Sequence, residues 1–111
     1  MRVWSLTEVQ AEIEAAERAL TELGDRELRL WERVRVTPSQ WIQNQYPNVG
    51  PVWVVALMGR RCLYLNQLEG GWGWGRFDVW GTVSEYHWQA DLDIQHVIAQ
   101  TLCGIDHGGL G

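Results

Sequence analysis

Three histidines, two cysteines and fourteen carboxylates are the side chains with which this 111-residue chain could hold a metal or move a proton. Cys103 and His107 are four apart, a plausible local ligand spacing. Cys62, His87 and His96 supply no second close pair, so neither a metal nor another cofactor is expected. Nucleophilic catalysis needs a serine or cysteine on a strained turn beside a base. Here Ser5 and Ser39 fall at helix-cap positions, Cys62 and Ser84 fall inside strands, and no G-x-S-x-G is present. A phosphate loop fails too, because the chain has no lysine. Glu69, Asp78 and Glu85 remain as an acid–base set that could meet on a sheet rim. An uncharacterised hydrolase-type enzyme built on them is one alternative reading.

Recognition chemistry is the richer possibility. The stretch "GGWGWGRFDVWG", residues 70–81, places three tryptophans and five glycines in twelve positions. In an extended strand Trp72, Trp74 and Arg76 share one face, while Gly73, Gly75 and Phe77 share the other. Two arrangements satisfy this pattern. Either the indoles fill a core while another element packs on the glycine side, or they form an open stacking shelf with Arg76 alongside. Eight tryptophans of roughly 200 Å² each are more than a small domain readily encloses, so some are expected at the surface. Trp72, Trp74 and Trp88, flanked by glycine and polar residues, are the expected exposed ones. The candidate contact patch is then Glu69, Trp72, Trp74 and Arg76, with Tyr64, Tyr86 and Trp88 beside it.

The elements that would position these residues follow from periodicity and punctuation. Ser5 to Glu8 has the form of a capping box. Behind it Leu6, Val9, Ile13, Ala16, Leu20 and Leu23 recur at spacings of three and four, a narrow apolar seam on a helix over 1–23. That seam suits either the protein's own sheet or a homodimer. Residues 26–33 read as a second helix, although "ERVRV" also alternates like a strand start. Thr37-Pro38-Ser39-Gln40 resembles a helix start and predicts a short third helix carrying Trp41 and Ile42.

"VWVVALM" and "RCLYLNQ" then read as a hairpin turning at Gly59-Arg60. Taking that turn literally pairs Leu57 with Cys62, Val55 with Tyr64 and Trp53 with Asn66. One face becomes Val54, Ala56, Met58, Leu63 and Leu65; the other becomes Trp53, Val55, Leu57, Cys62, Tyr64 and Asn66. Strands over 72–78 and 81–86 complete a four-stranded antiparallel meander within 52–86. A closing helix over 91–103, capped by Asp91 and ended by Gly104, carries Ile94, Val97, Ile98, Thr101 and Leu102 toward the sheet. The expected fold is a single α+β domain over 1–104 with a mobile tail at 105–111.

The net charge of −5 argues against nucleic acid or an anionic membrane as partner, since both need a basic footprint. Two unframed cysteines and no leader-like apolar segment point to the cytoplasm.

From Trp53 to Leu102, "VWVVALMGRRCLYLNQLEGGWGWGRF" and "GTVSEYHWQADLDIQHVIAQTL" resemble a group of small bacterial α+β proteins of the toxin-immunity type. In these a V/W-rich hairpin ends in asparagine and an acidic-Gly turn, and a "G…EY" strand runs into an acidic helix. The resemblance implies a non-catalytic protein that binds another protein, a basic toxin, and blocks it sterically. An acidic body would speed such an encounter by long-range attraction. The competing expectation is a small-ligand or carbohydrate-binding module that uses the tryptophan shelf.

Overall fold

The computed structural model describes residues 3–46, 50–67, 69–86 and 91–106. Helix α1 (Leu6–Leu23) starts at Ser5, whose hydroxyl accepts from the Glu8 N–H while the Glu8 carboxylate accepts from the Ser5 N–H, both at 3.2 Å. The expected capping box is therefore formed. Val9, Ile13, Ala16 and Leu20 are buried against the protein's own core, and only the ends of the seam, Leu6 and Leu23, stay exposed. Helix α2 (Asp25–Val34) follows after the single residue Gly24 and buries Trp31 and Val34. The Trp31 indole N–H donates to the Glu17 carboxylate at 3.0 Å, which also receives Arg35. This bonding ties α2 to α1 and satisfies a buried donor.

The chain then departs from its helix-like cap signal. Strand β1 (Arg35–Gln43) occupies the segment expected to hold a short helix. Trp41 and Gln43 are buried while Gln40 and Ile42 are exposed, the period-two pattern of a strand. Pairing with β2 (Val52–Met58) decides the matter over local propensity. Pro38 is accommodated because the register slips there: four steps along β1, from Arg35 to Ser39, match two along β2. A proline without an N–H fits such an irregularity.

β2 and β3 (Arg61–Asn66) form the expected hairpin. Gly59 takes φ +60°, the positive value that the first position of a II′ turn requires. Met58 pairs with Arg61, and Leu57 with Cys62 as expected, but Tyr64 lies opposite Val54 rather than Val55 because a β-bulge intervenes. Beyond the bulge the side chains exchange faces. Val55 and Trp53 join the helix-side core, whereas Val52 and Val54 join the opposite one.

β4 (Gly71–Arg76) continues antiparallel beside β3, but β5 (Thr82–Val83) pairs parallel with β1. The sheet is mixed and five-stranded, in the order β4-β3-β2-β1-β5, not a four-stranded antiparallel meander. Just after β5, Glu85 pairs with Arg76 of β4, so the two ends of the order meet and the sheet curls round on itself. Inside the curl lie Trp41, Val52, Val54, Cys62, Tyr64, Val83 and Tyr86. Outside it, three helices cover Val55, Ala56, Leu63, Leu65 and Trp72. Helix α3 (Ile94–Asp106) starts three residues later than Asp91 would set it, because Leu92 is held in a bridge to Trp72. It runs through Gly104 rather than ending there, so Ile105 and Asp106 are helical; 107–111 lie outside the described residues. The architecture is α+β with helices at both ends, and no described helix is long and apolar enough to cross a membrane.

Candidate functional site

The Trp72–Trp74 face is covered, not open. Trp72 is 1% exposed beneath α3, among Ile94, Val97 and Ile98. Its backbone N–H donates to the Leu92 carbonyl at 2.7 Å, and its buried indole N–H meets no acceptor among the described residues. Trp74 is half-buried on the same cluster, and its indole N–H donates at 2.8 Å to the Thr101 hydroxyl. That hydroxyl in turn donates to the Val97 carbonyl at 2.7 Å. The doublet is thus a seam between β4 and α3, and the expected shelf is absent.

The glycine side has its own close neighbours. A Cβ built on Gly75 would lie 2.4 Å from the Glu85 carbonyl oxygen and 3.0 Å from the Tyr64 ring. Alternation of tryptophan and glycine therefore lets one strand carry helix-packing bulk outward and accept the closing segment inward.

The remaining expected site residues scatter. Tyr64 is fully buried inside the curl, its ring 4.8 Å from that of Tyr86, which also meets Tyr46 at 5.6 Å. Burial, with a smaller contribution from Tyr46, pushes the Tyr86 phenol up to about 12. Its hydroxyl has no partner among the described residues. Both rings are core residues rather than contact residues. Glu69 is exposed in the turn before β4, its N–H donating to the Asn66 side-chain oxygen at 3.3 Å. Arg76 is exposed at the far end of β4. Trp88 lies outside the described residues.

The acid–base set does not assemble. Glu69 precedes β4 and Glu85 pairs with its last residue, which separates them by about 17 Å of strand. Asp78 is paired with Arg60 at 3.3 Å. Cys62 is buried and its thiol is pushed up to about 12 by that burial, whereas Cys103 is exposed; both are free. Among the described residues no three His, Cys, Asp or Glu side chains gather as a metal set; His87 and His107 lie outside them.

Among the described residues the exposed indole lies elsewhere, at the corner where the chain turns from β4 into β5. Trp80 and Val79 are each 67% exposed and Ile42, on β1 beside them, is 54% exposed. The corner is firmly built. The Ile42 N–H donates to the Gly81 carbonyl at 3.0 Å, the Thr82 N–H to the Val79 carbonyl at 3.1 Å, and the Phe77 N–H to the Arg60 carbonyl at 2.9 Å. The Trp80 ring rests 5.3 Å from the buried Trp41 ring, which meets Phe77 edge-on at 5.1 Å. Trp41 is fixed by its indole N–H donating to the Ser39 hydroxyl at 3.1 Å. The indole count implies that some ring is exposed; of the three rings expected there, Trp72 is buried, Trp74 is half-buried and Trp88 lies outside the described residues. The useful signal was position: Trp80 stands in a turn, where a side chain has no helix to lie beneath.

Comparison with known proteins finds no matching family model, curated protein or solved structure.

Proposed function

We propose that this chain is a non-catalytic protein-binding domain that acts by occlusion, with Trp80 at the centre of its contact surface and Val79 and Ile42 beside it. The observation that carries this reading is a large aromatic ring, two-thirds open to solvent, braced on a buried one. Tryptophan dominates interface energetics, and an immobilised ring loses little conformational freedom on binding. The net charge of −5 favours a basic partner. Together with the resemblance noted above, this supports an immunity-type role against a basic toxin in the cytoplasm.

A tryptophan-shelf module for sugars has less support, because Trp72 is sealed and Trp74 half-covered. Homodimerisation along α1 would have to use the helix ends and outer face, since the middle of the seam is occupied by the protein's own core.

The test is co-expression with the toxic product of a neighbouring gene. The wild-type chain should rescue growth and bind that product, and Trp80→Ala should weaken binding at least about tenfold while the protein stays folded. Full rescue by Trp80→Ala would remove Trp80 from the interface. Failure of the wild type to bind any adjacent gene product would overturn the immunity role.

A further inference from the structure

Strand β1 has a hole at one end and a knob at the other. The hole is a cavity of about 460 Å³ between the start of β1 and the first two helices, lined by Ile13, Trp31, Arg35, Val36, Thr37 and Pro38. That volume falls in the range of about 300–1,000 Å³ typical of small-molecule pockets, room enough for one indole. Ile13 and Trp31 are buried, Val36 and Pro38 are half-buried, and the exposed Arg35 and Thr37 stand at its mouth. The knob is Trp80, which lies beside Ile42, five residues beyond Thr37 and so roughly 17 Å further along the strand.

Between the two, β1 is open on one side. β5 pairs only with Ile42 and Gln43, so among the described residues no strand lies along that side from Arg35 to Trp41. Pro38, which lacks an N–H, blunts the edge against a continuous ladder with another chain. Contact there has to come through side chains. Both ends are also locally neutral in a chain of net charge −5: Arg35 is paired with Glu17 at the hole, and Asp78 with Arg60 beside the knob. Two copies can bring these regions together without setting like charges face to face.

Because hole and knob sit at opposite ends of one strand, two β1 strands crossed antiparallel about a two-fold axis set each knob against the other copy's hole. We infer that a second copy of this chain docks here, in a symmetric dimer in which each Trp80 enters the other copy's cavity. Ile13, Val36 and Pro38 supply its apolar walls, and the planar guanidinium of Arg35 stacks on the entering ring. One tryptophan covers roughly 200 Å², well short of the roughly 800 Å² a side of a stable interface. Two reciprocal contacts and the strand edge between them make a weak dimer. The ring is hidden in it, so a second copy and another partner exclude each other. The inference uses the exposure of Trp80, not the partner proposed for it above.

Sedimentation velocity of the full-length chain between about 20 µM and about 1 mM tests it. The wild type should move from monomer toward dimer over that range, and further as salt screens the charge of the two copies. Trp80→Ala removes both knobs and Thr37→Arg blocks both holes. Each should weaken the dimer about 100-fold, tenfold per contact, and each lies at an exposed position, so the helix content should stay that of the wild type. An equimolar mixture of the two variants restores one knob facing one hole. It should associate about tenfold more tightly than either variant alone. Growth rescue should survive Thr37→Arg, which tells loss of the dimer apart from loss of the proposed function. A wild type that stays monomeric at the highest concentration overturns the dimer. A dimer left intact by Trp80→Ala overturns the knob, and a mixture no tighter than its components overturns the match of knob to hole.

Discussion

Two places in this molecule combine tryptophan with glycine, and they end in opposite environments. In Gly71–Gly75 the glycines alternate with Trp72 and Trp74 along a strand, so all the bulk falls on one face and α3 lies across it. At Val79-Trp80-Gly81 the same two residue types sit in a turn, where no alternation operates, and the ring stays in solvent. Composition is similar; backbone period differs. An indole in a strand is buried by whatever covers its face, whereas one in a turn keeps whatever exposure the turn leaves it.

Removing each ring in turn breaks the comparison most directly. Trp72→Ala should lose about 3–5 kcal/mol in urea unfolding, the range for deleting a buried aromatic side chain. Gly75→Ala should come next, at about 1–3 kcal/mol, because the new methyl group must displace the Glu85 carbonyl or the Tyr64 ring. Hydrogen exchange at Arg76 and Glu85 should speed up in that variant as the closing pair loosens.

Tyr86→Phe sharpens the contrast at smaller magnitude. Its hydroxyl is buried without a partner among the described residues, so deletion should change stability at neutral pH by less than about 1 kcal/mol. The pH dependence is more telling. A free phenol titrates near 10, and Tyr86 in the fold near 12. The folded state therefore holds the proton more tightly, and stability that is full below about pH 10 falls as pH rises through about 12. Cys62, raised from its ordinary range to about 12, contributes a decline of the same sign. Unfolding monitored between pH 9 and 12 should decline less steeply in Tyr86→Phe than in the wild type, by up to roughly 1.4 kcal/mol per pH unit. Trp80→Ala should have the least effect on stability, within about 1 kcal/mol, since most of its ring is already in water.

Legibility in the sequence divides along similar physical lines. The capping box, the seam of α1, the II′ turn and the stripe of α3 were readable because each is a local signal: a cap, a period of 3.6, a glycine with positive φ. The Val55 bulge was not. In "VWVVAL" every residue is apolar, so alternation cannot say which side chain faces which core. β1 was misread because Thr37-Pro38-Ser39-Gln40 satisfies a helix start locally, while its partner, β2, lies more than ten residues away in sequence. The parallel β1–β5 pair is likewise long-range. The candidate site shares that fate: nothing in local composition marks Trp80 among eight tryptophans, and its seat beside Trp41 and Ile42 depends on the long-range pairing of β1 with β5.

The closure at Arg76 and Glu85 has a further consequence. It clamps both feet of the 77–84 segment onto the sheet, so Asp78, Val79 and Trp80 form a short strap over a frame that stands without their side chains. On the function proposed above, replacements at those three positions should redirect recognition while the fold is kept. Variants of this chain that meet different partners should differ there first, and hardly at all between Trp72 and Gly75.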